Sequence, residues 1–395
     1  MHTFVDPLYR ARTLFADTVS MVGGEVRLTY AETWCRCRRL AGGLTRLGLE
    51  PGDRVAILAA NSHRYLEVYL AVPASGRVVV PLNTRHAEPE LRYALEDAGT
   101  RLLITDRDPG ALARRVEQVI SLPDDYERLL ATAPEADLGV GVTESSLAGL
   151  FYTGGTTGAS KGVMLTHRNL IANTTNWLVA AQQGPEDTFL IMAPMFHAAG
   201  SVAVLATVWI GGRQVILPGF DPVAALDAIA AEQVTVTLGV PTMIASLAEE
   251  QLLRPRNVQS LRSIGHGGSP IATEVVRRTH AAFPRAELST STAPPRWRRW
   301  LPHCATKSSW STATWPAHVV GPWQGSMFES LTRAARKCHR ERSARSSCEA
   351  PTSCRAIGTS PSRRLPSSVR GGITAETSAT WTVGAICSSS TARRT

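Results

Sequence analysis

Short apolar runs and stretches of helical spacing alternate along the first 288 residues of the chain. From Tyr30 to Leu47, Trp34, Leu40, Leu44 and Leu47 share one side, which predicts an amphipathic helix with Arg36, Arg38 and Arg39 on its solvated face. Gly48 stops that helix, and Pro51, Gly52 and Asp53 turn the chain into a buried strand, Val55 to Leu58. A helix from about His63 to Ser75 and a strand from Val78 to Pro81 complete a β-α-β unit. A helix from Glu88 to Asp97 then leads to a strand from Leu102 to Thr105. Residues 107–146 are polar and alanine-rich and predict helix and loop.

The alternation then resumes. Apolar runs end at Tyr152 and span Val163 to Leu165, and Thr166 caps a helix to about Ala181 whose Asn169, Asn173 and Asn176 form a polar surface stripe. A strand from Leu190 breaks at Pro194 and gives way to a helix through Ala206. After a turn and strand in 211–218, Asp221 caps a helix with Pro222 at its first position. A strand from Val234 to Val240, a helix from Pro241, a strand from Leu261 into a glycine turn, and a helix from Glu274 to Phe283 follow. This order predicts an α/β fold with layered, mostly parallel sheets flanked by helices over residues 1–288.

Chemistry concentrates between the runs at Tyr152 and Val163, in a loop of glycines and hydroxyls spanning 152–162. Gly154, Gly155 and Gly158 let the backbone turn N–H groups toward an anion, Thr153, Thr156, Thr157 and Ser160 add hydroxyl donors, and Lys161 adds charge. A flexible linker has similar composition, but linkers are not normally clamped between apolar runs. A Walker A loop is excluded, because Ser160 precedes the lysine, Gly162 follows it, and a strand precedes the next helix. By residue type alone, the Phe196–His197 pair fits a packed core as well as a ligand pocket, and Gly267 and Gly268 require only a tight turn.

Together these stretches resemble the adenylate-forming superfamily of acyl-CoA synthetases, aryl-CoA ligases, luciferases and peptide-synthetase adenylation domains. Its signature runs Tyr-Thr-Ser-Gly-Thr-Thr-Gly-x-Pro-Lys-Gly; here Gly154 replaces the Ser and Ser160 the Pro. The opening segment through Asn83 and Thr84 is also similar, and the chain as a whole looks most like a fatty-acyl-CoA synthetase, with an aryl-acid ligase as the alternative. The resemblance implies that a carboxylate attacks the α-phosphate of ATP to give an acyl-adenylate and diphosphate, and that coenzyme A then takes the acyl group. It assigns Thr153 to Gly158, Ser160 and Lys161 to the phosphates and Gly267, Gly268, Ser269 and Pro270 to the adenine. Phe196, His197 and His266 fall to the acyl pocket, with Lys161 and His197 as the catalytic pair. ATP, Mg²⁺ and CoA are the implied cofactors and substrates.

Beyond Leu288 the pattern changes. Residues 289–395 hold 16 Lys and Arg against 4 Glu and no Asp, while the rest of the chain holds 26 basic and 29 acidic residues. The net charge of +9 therefore belongs to the tail and does not argue for nucleic acid as a partner. Six of the nine Trp and 19 Ser also lie there, without hydrophobic periodicity. Where the resemblance calls for the Thr-Glu motif that serves phosphate and Mg²⁺, the residues run from Ser289 to Trp300 without it.

Plausible codons read two nucleotides further on turn Ser291 to Trp297 into YGATEM, and Gly371 to Trp381 into WYHSGDIGYM, with YLFLVDRAKD at the end. A frameshift accounts for these family motifs appearing in order. It predicts a chain without the motif, the ribose-binding Asp or the small C-terminal domain, and so inactive as encoded. The other readings are a genuine basic segment for anionic partners, a non-catalytic nucleotide or acyl-binding remnant, and a pseudogene product. Seven cysteines without CxxC or regular His spacing predict no metal site. The absence of a signal peptide or transmembrane run predicts a cytoplasmic protein, with peripheral membrane association left open.

Overall fold

The computed structural model describes residues 3–153 and 160–290. The chain opens with α1 (Val5–Leu14) and a hairpin of β1 (Val19–Gly23) and β2 (Val26–Thr29). There follow α2 (Tyr30–Arg46), β3 (Arg54–Leu58), α3 (His63–Ala74), β4 (Val78–Pro81), α4 (Glu88–Ala98), β5 (Thr100–Thr105), β6 (Gln118–Ser121) and α5 (Asp124–Thr132). A second hairpin, β7 (Leu147–Thr153) and β8 (Lys161–Thr166), leads to α6 (His167–Ala181) and β9 (Thr188–Ile191). The remainder is α7 (Ala198–Ile210), β10 (Arg213–Ile216), α8 (Pro222–Ala231), β11 (Val236–Gly239), α9 (Pro241–Leu253), β12 (Ser263–His266), α10 (Thr273–Ala282) and β13 (Glu287–Thr290).

Two sheets result. One has seven strands in the order β13-β12-β11-β9-β10-β1-β2, and the other six in the order β6-β5-β3-β4-β7-β8. Among the described residues all pairings are parallel except within the hairpins β1–β2 and β7–β8. Parallel strands buried on both faces need continuous apolar runs, and β3, β4 and β9 supply them. Among the helices, eleven of the twelve residues of α3 are buried, and α3 touches β1 of one sheet and β3, β4 and β7 of the other. Ser62 caps α3 by accepting from the Tyr65 N–H, and Thr29 caps α2 in a reciprocal box with Glu32.

Several sequence expectations are corrected. Arg36 is not on a solvated face: its guanidinium forks onto Glu67 at 2.6 and 3.1 Å and onto Glu127 at 2.9 and 3.0 Å. The reason is Glu67, a carboxylate of α3 with 0% exposure, which needs a cation and also accepts from the Tyr126 hydroxyl at 2.9 Å. Arg38 bonds Glu135, Asp137 and the Ala136 carbonyl, so it pins the loop after α5. Asn169 is a capping residue rather than part of a polar stripe, its Oδ1 accepting from the Thr166 N–H at 3.0 Å. The stretch 107–146 contains a strand, β6, too short and too polar to stand out by pattern. β13 runs to Thr290, two residues beyond the point where the pattern changes; residues 291–395 lie outside the described part.

Removing Arg36 leaves Glu67 buried without its cation. Arg36→Ala is expected to cost about 3–5 kcal/mol in urea denaturation. Arg38→Ala, whose carboxylate partners are solvated, should cost under about 1 kcal/mol. The reverse ranking would refute a charged Glu67.

Candidate active site at the carboxyl ends of the strands

The candidate residues that can be placed lie where strands end and loops begin. Thr153 closes β7 and pairs across the ladder with Lys161, the first residue of β8. The Ser160 hydroxyl donates to the Thr153 carbonyl at 2.7 Å. Lys161 is exposed and forms no ion pair among the described residues. Gly154, Gly155, Thr156, Thr157 and Gly158 lie outside those residues.

The hairpin stem is fixed from three directions. The Tyr152 hydroxyl donates to Asp97 Oδ2 of α4 at 2.7 Å, and its ring meets Tyr93 edge-on at 6.5 Å. Burial and then Asp97 hold the Tyr152 phenol well above its usual range. Gly162, paired with Tyr152, leaves room for that ring, since a Cβ there would come within 3.1 Å of it. Thr166 caps α6, and the next residue, His167, is buried with Nδ1 accepting from the Phe4 N–H at 3.1 Å. Further along α6, Trp177 packs so closely on Gly265 that a Cβ at Gly265 would sit 3.2 Å from the indole.

The second group follows β9. Phe196 is buried, His197 is exposed, and their rings lie 4.5 Å apart at 52°. Desolvation of the imidazole, then the charges of Arg85 and His86 in the loop after β4, lower the His197 pKa. The third group closes β12: His266 is buried, while Gly268, Ser269 and Pro270 are exposed. Gly268 has φ +85°, a conformation that glycine adopts without strain.

Strand β11 lies between β9 and β12, with Thr237 opposite Leu190 and Gly239 opposite His266. The aromatic–His pair and the glycine turn therefore emerge at one end of the same sheet, the end where open α/β sheets bind ligands. Among the described residues no three His, Cys, Asp or Glu side chains gather to hold a metal, and no helix is long and apolar enough to cross a membrane.

Sequence reasoning passed over Asn61 and Asp97. Asn61, 5% exposed after β3, donates from Nδ2 to the Ala193 carbonyl at 3.0 Å and accepts at Oδ1 from the Met195 N–H at 2.8 Å. Their partners, two backbone groups for Asn61 and Tyr152 for Asp97, are distant in sequence, so composition and spacing carry no trace of them.

The AMP-binding enzyme family profile matches residues 9–291. The chain belongs to that family. Among its curated relatives, it is 39% identical over 275 residues to a feruloyl-CoA synthase of an Amycolatopsis species, covering 69% of this chain and 55% of that protein. It is 35% identical over 292 residues to a long-chain-fatty-acid–CoA ligase of Thermus thermophilus, covering 69% and 54%. The chain thus spans about half the length of these relatives. Its fold is similar to the crystallised N-terminal domain of FACL13 from Mycobacterium tuberculosis, with TM-score 0.68 and 26% identity over 73% of this chain and 75% of that one. ATP-bound MatB from Rhodopseudomonas palustris is also similar, at TM-score 0.66 and 28% identity over 74% and 61%.

Two of the buried histidines of this AMP-binding fold, His63 and His167, have pKa values that burial lowers to about 4. The unfolded chain protonates them near the ordinary value of about 6.5, so it binds more protons than the folded chain between those limits. Stability is complete above pH 6.5, falls as the pH drops toward 4, and loses nothing more from these groups below that. Thermal melts of His167→Asn, which keeps an acceptor for Phe4, should show a shallower loss across this window than the unaltered chain. Equal slopes would contradict a neutral buried His167. Separately, Gly268→Ala should destabilise by about 1–2 kcal/mol because of its positive φ.

Proposed function

We propose that the chain carries the carboxylate-activating domain of an ATP-dependent acyl-CoA ligase acting on fatty acids. What supports the reading most directly is the hairpin of β7 and β8, which holds Lys161 exposed and unpaired among the described residues beside a glycine- and hydroxyl-rich loop. A cation and fixed donors at that point suit the negative charge that grows on the α-phosphate as a carboxylate oxygen attacks it and diphosphate leaves. The second step transfers the acyl group from AMP to the coenzyme A sulfur, with the thiol proton released.

In this reading the hairpin loop from Thr153 to Lys161 holds the phosphates, the turn from Gly267 to Pro270 faces the adenine, and Phe196, His197 and His266 line the acyl side. The family uses Mg²⁺ with ATP, and the described residues offer no carboxylate cluster for it. The Thr-Glu motif that would serve it is replaced by the residues after Ser289. We therefore also propose that the 395-residue chain forms no thioester, and that a frameshifted reading of the gene is the cause.

A second reading, an aryl acid as substrate, is favoured by the 39% identity to the feruloyl-CoA synthase, against 35% to the fatty-acid ligase. A panel of fatty and cinnamic acids, incubated with ATP, Mg²⁺ and CoA and analysed for thioesters by mass spectrometry, tests both. The chain as encoded should give none, and the product of a gene with its frame restored near the codon for Ser291 should prefer fatty acids. Thioester formation by the encoded chain would overturn the inactivity, and a preference for cinnamic acids would favour the second reading. In the frame-restored protein, Lys161→Ala should slow adenylate formation by about a hundredfold.

A further inference from the structure

We propose that Asn61 is a positioning residue that sets Phe196 and His197 on the acyl side of the site, an inference that rests on the ligase reading above. Asn61 follows β3 of the six-stranded sheet, yet its bonds run to the other sheet. Besides the side-chain bonds to Ala193 and Met195, its backbone N–H donates to the Pro218 carbonyl at 3.2 Å, just beyond β10. β9 has ended at Ile191, so the ladder no longer fixes residues 193–195.

Ala193 and Met195 flank Pro194, which has no N–H to donate. The Pro194 carbonyl in turn accepts from the His197 N–H at 3.3 Å. One amide thus holds the backbone on both sides of the proline, and the turn that follows delivers the two rings. The position requires a donor and an acceptor on one short side chain. Asparagine supplies both, an ionised aspartate supplies only acceptors, and leucine supplies neither. None of the Asn61 bonds reaches Thr153, Ser160, Lys161 or the turn from Gly267 to Pro270. Its loss should therefore be felt by the acyl group and not by the nucleotide.

The test is titration calorimetry of the full 395-residue chain with AMP and with two acyl-adenylate analogues, dodecanoyl- and cinnamoyl-sulfamoyl adenosine. For the tighter of the two, Asn61→Ala should weaken binding about tenfold, with AMP affinity unchanged. Thr235→Val serves as a structural control, since it removes bonds to Asp187 and Thr188 at the opposite end of the seven-stranded sheet. It should lower the melting temperature without changing the ratio of analogue to AMP affinity. Asn61→Asp should match Asn61→Ala at pH 8, where the ionised acid supplies no donor for Ala193. Equal weakening of AMP and analogue, unchanged binding by Asn61→Ala, or tighter analogue binding by Asn61→Asp than by Asn61→Ala at pH 8 would overturn the role of Asn61 alone. Failure of the unaltered chain to bind any of the three would overturn this inference, and failure of the frame-restored protein to form any thioester would overturn the ligase reading.

Discussion

The burial of α3 between two sheets is the constraint on which the rest of the fold depends. A helix with eleven of twelve residues buried has no face left for solvent, so a charge on it must be paired inside the protein. Glu67 is the extreme case. Burial pushes its pKa up, while the Arg36 fork and the Tyr126 hydroxyl favour the charged form. Because Arg36 belongs to α2 and Tyr126 to α5, one buried carboxylate fixes the placement of three helices. A single unpaired charge here would cost more than most core truncations, which is why the network is complete.

α3 touches strands of both sheets, and side chains outside the ladders fix the segments at the strand ends. The β7–β8 hairpin is tied back to α4 through Tyr152 and Asp97 and to the N-terminal segment through His167 and Phe4. α6 links the hairpin to β12 through the close approach of Trp177 and Gly265. Asn61 carries the same logic in the other direction, from the six-stranded sheet to the segment after β9. Segments at the strand ends are thus held by side chains from neighbouring elements, and short strands of four residues suffice because the ladder alone does not position them.

The parallel α/β pattern was legible because strands buried on both faces must be continuously apolar, as Val55 to Leu58 and Val78 to Pro81 are. Helix starts at Thr166 and Asp221 were legible because capping is a local bond between neighbours in sequence. The loop from Thr153 to Lys161 and the turn at Gly268 stood out through glycine, whose conformational role is also local. What stayed hidden depends on distant partners. Arg36 reads as surface until Glu67 is placed beside it, and Asn61 as an ordinary turn residue until Ala193 and Met195 are. β6 escaped because a four-residue strand at a sheet edge needs little apolar content.

The regular pattern of the sequence ends inside β13. Ser289 and Thr290 still pair with Gly265 and His266, although the composition changes after Leu288. Ladder bonds join backbone groups and tolerate almost any side chain, so a change of residue types at Ser289 leaves the strand in place. On the shifted-frame reading, the sheet is therefore intact up to its last strand while the residues that should face the phosphates from that strand are replaced. Stability and catalysis then part company within a few residues, because one depends on the ladder and the other on the side chains just beyond it.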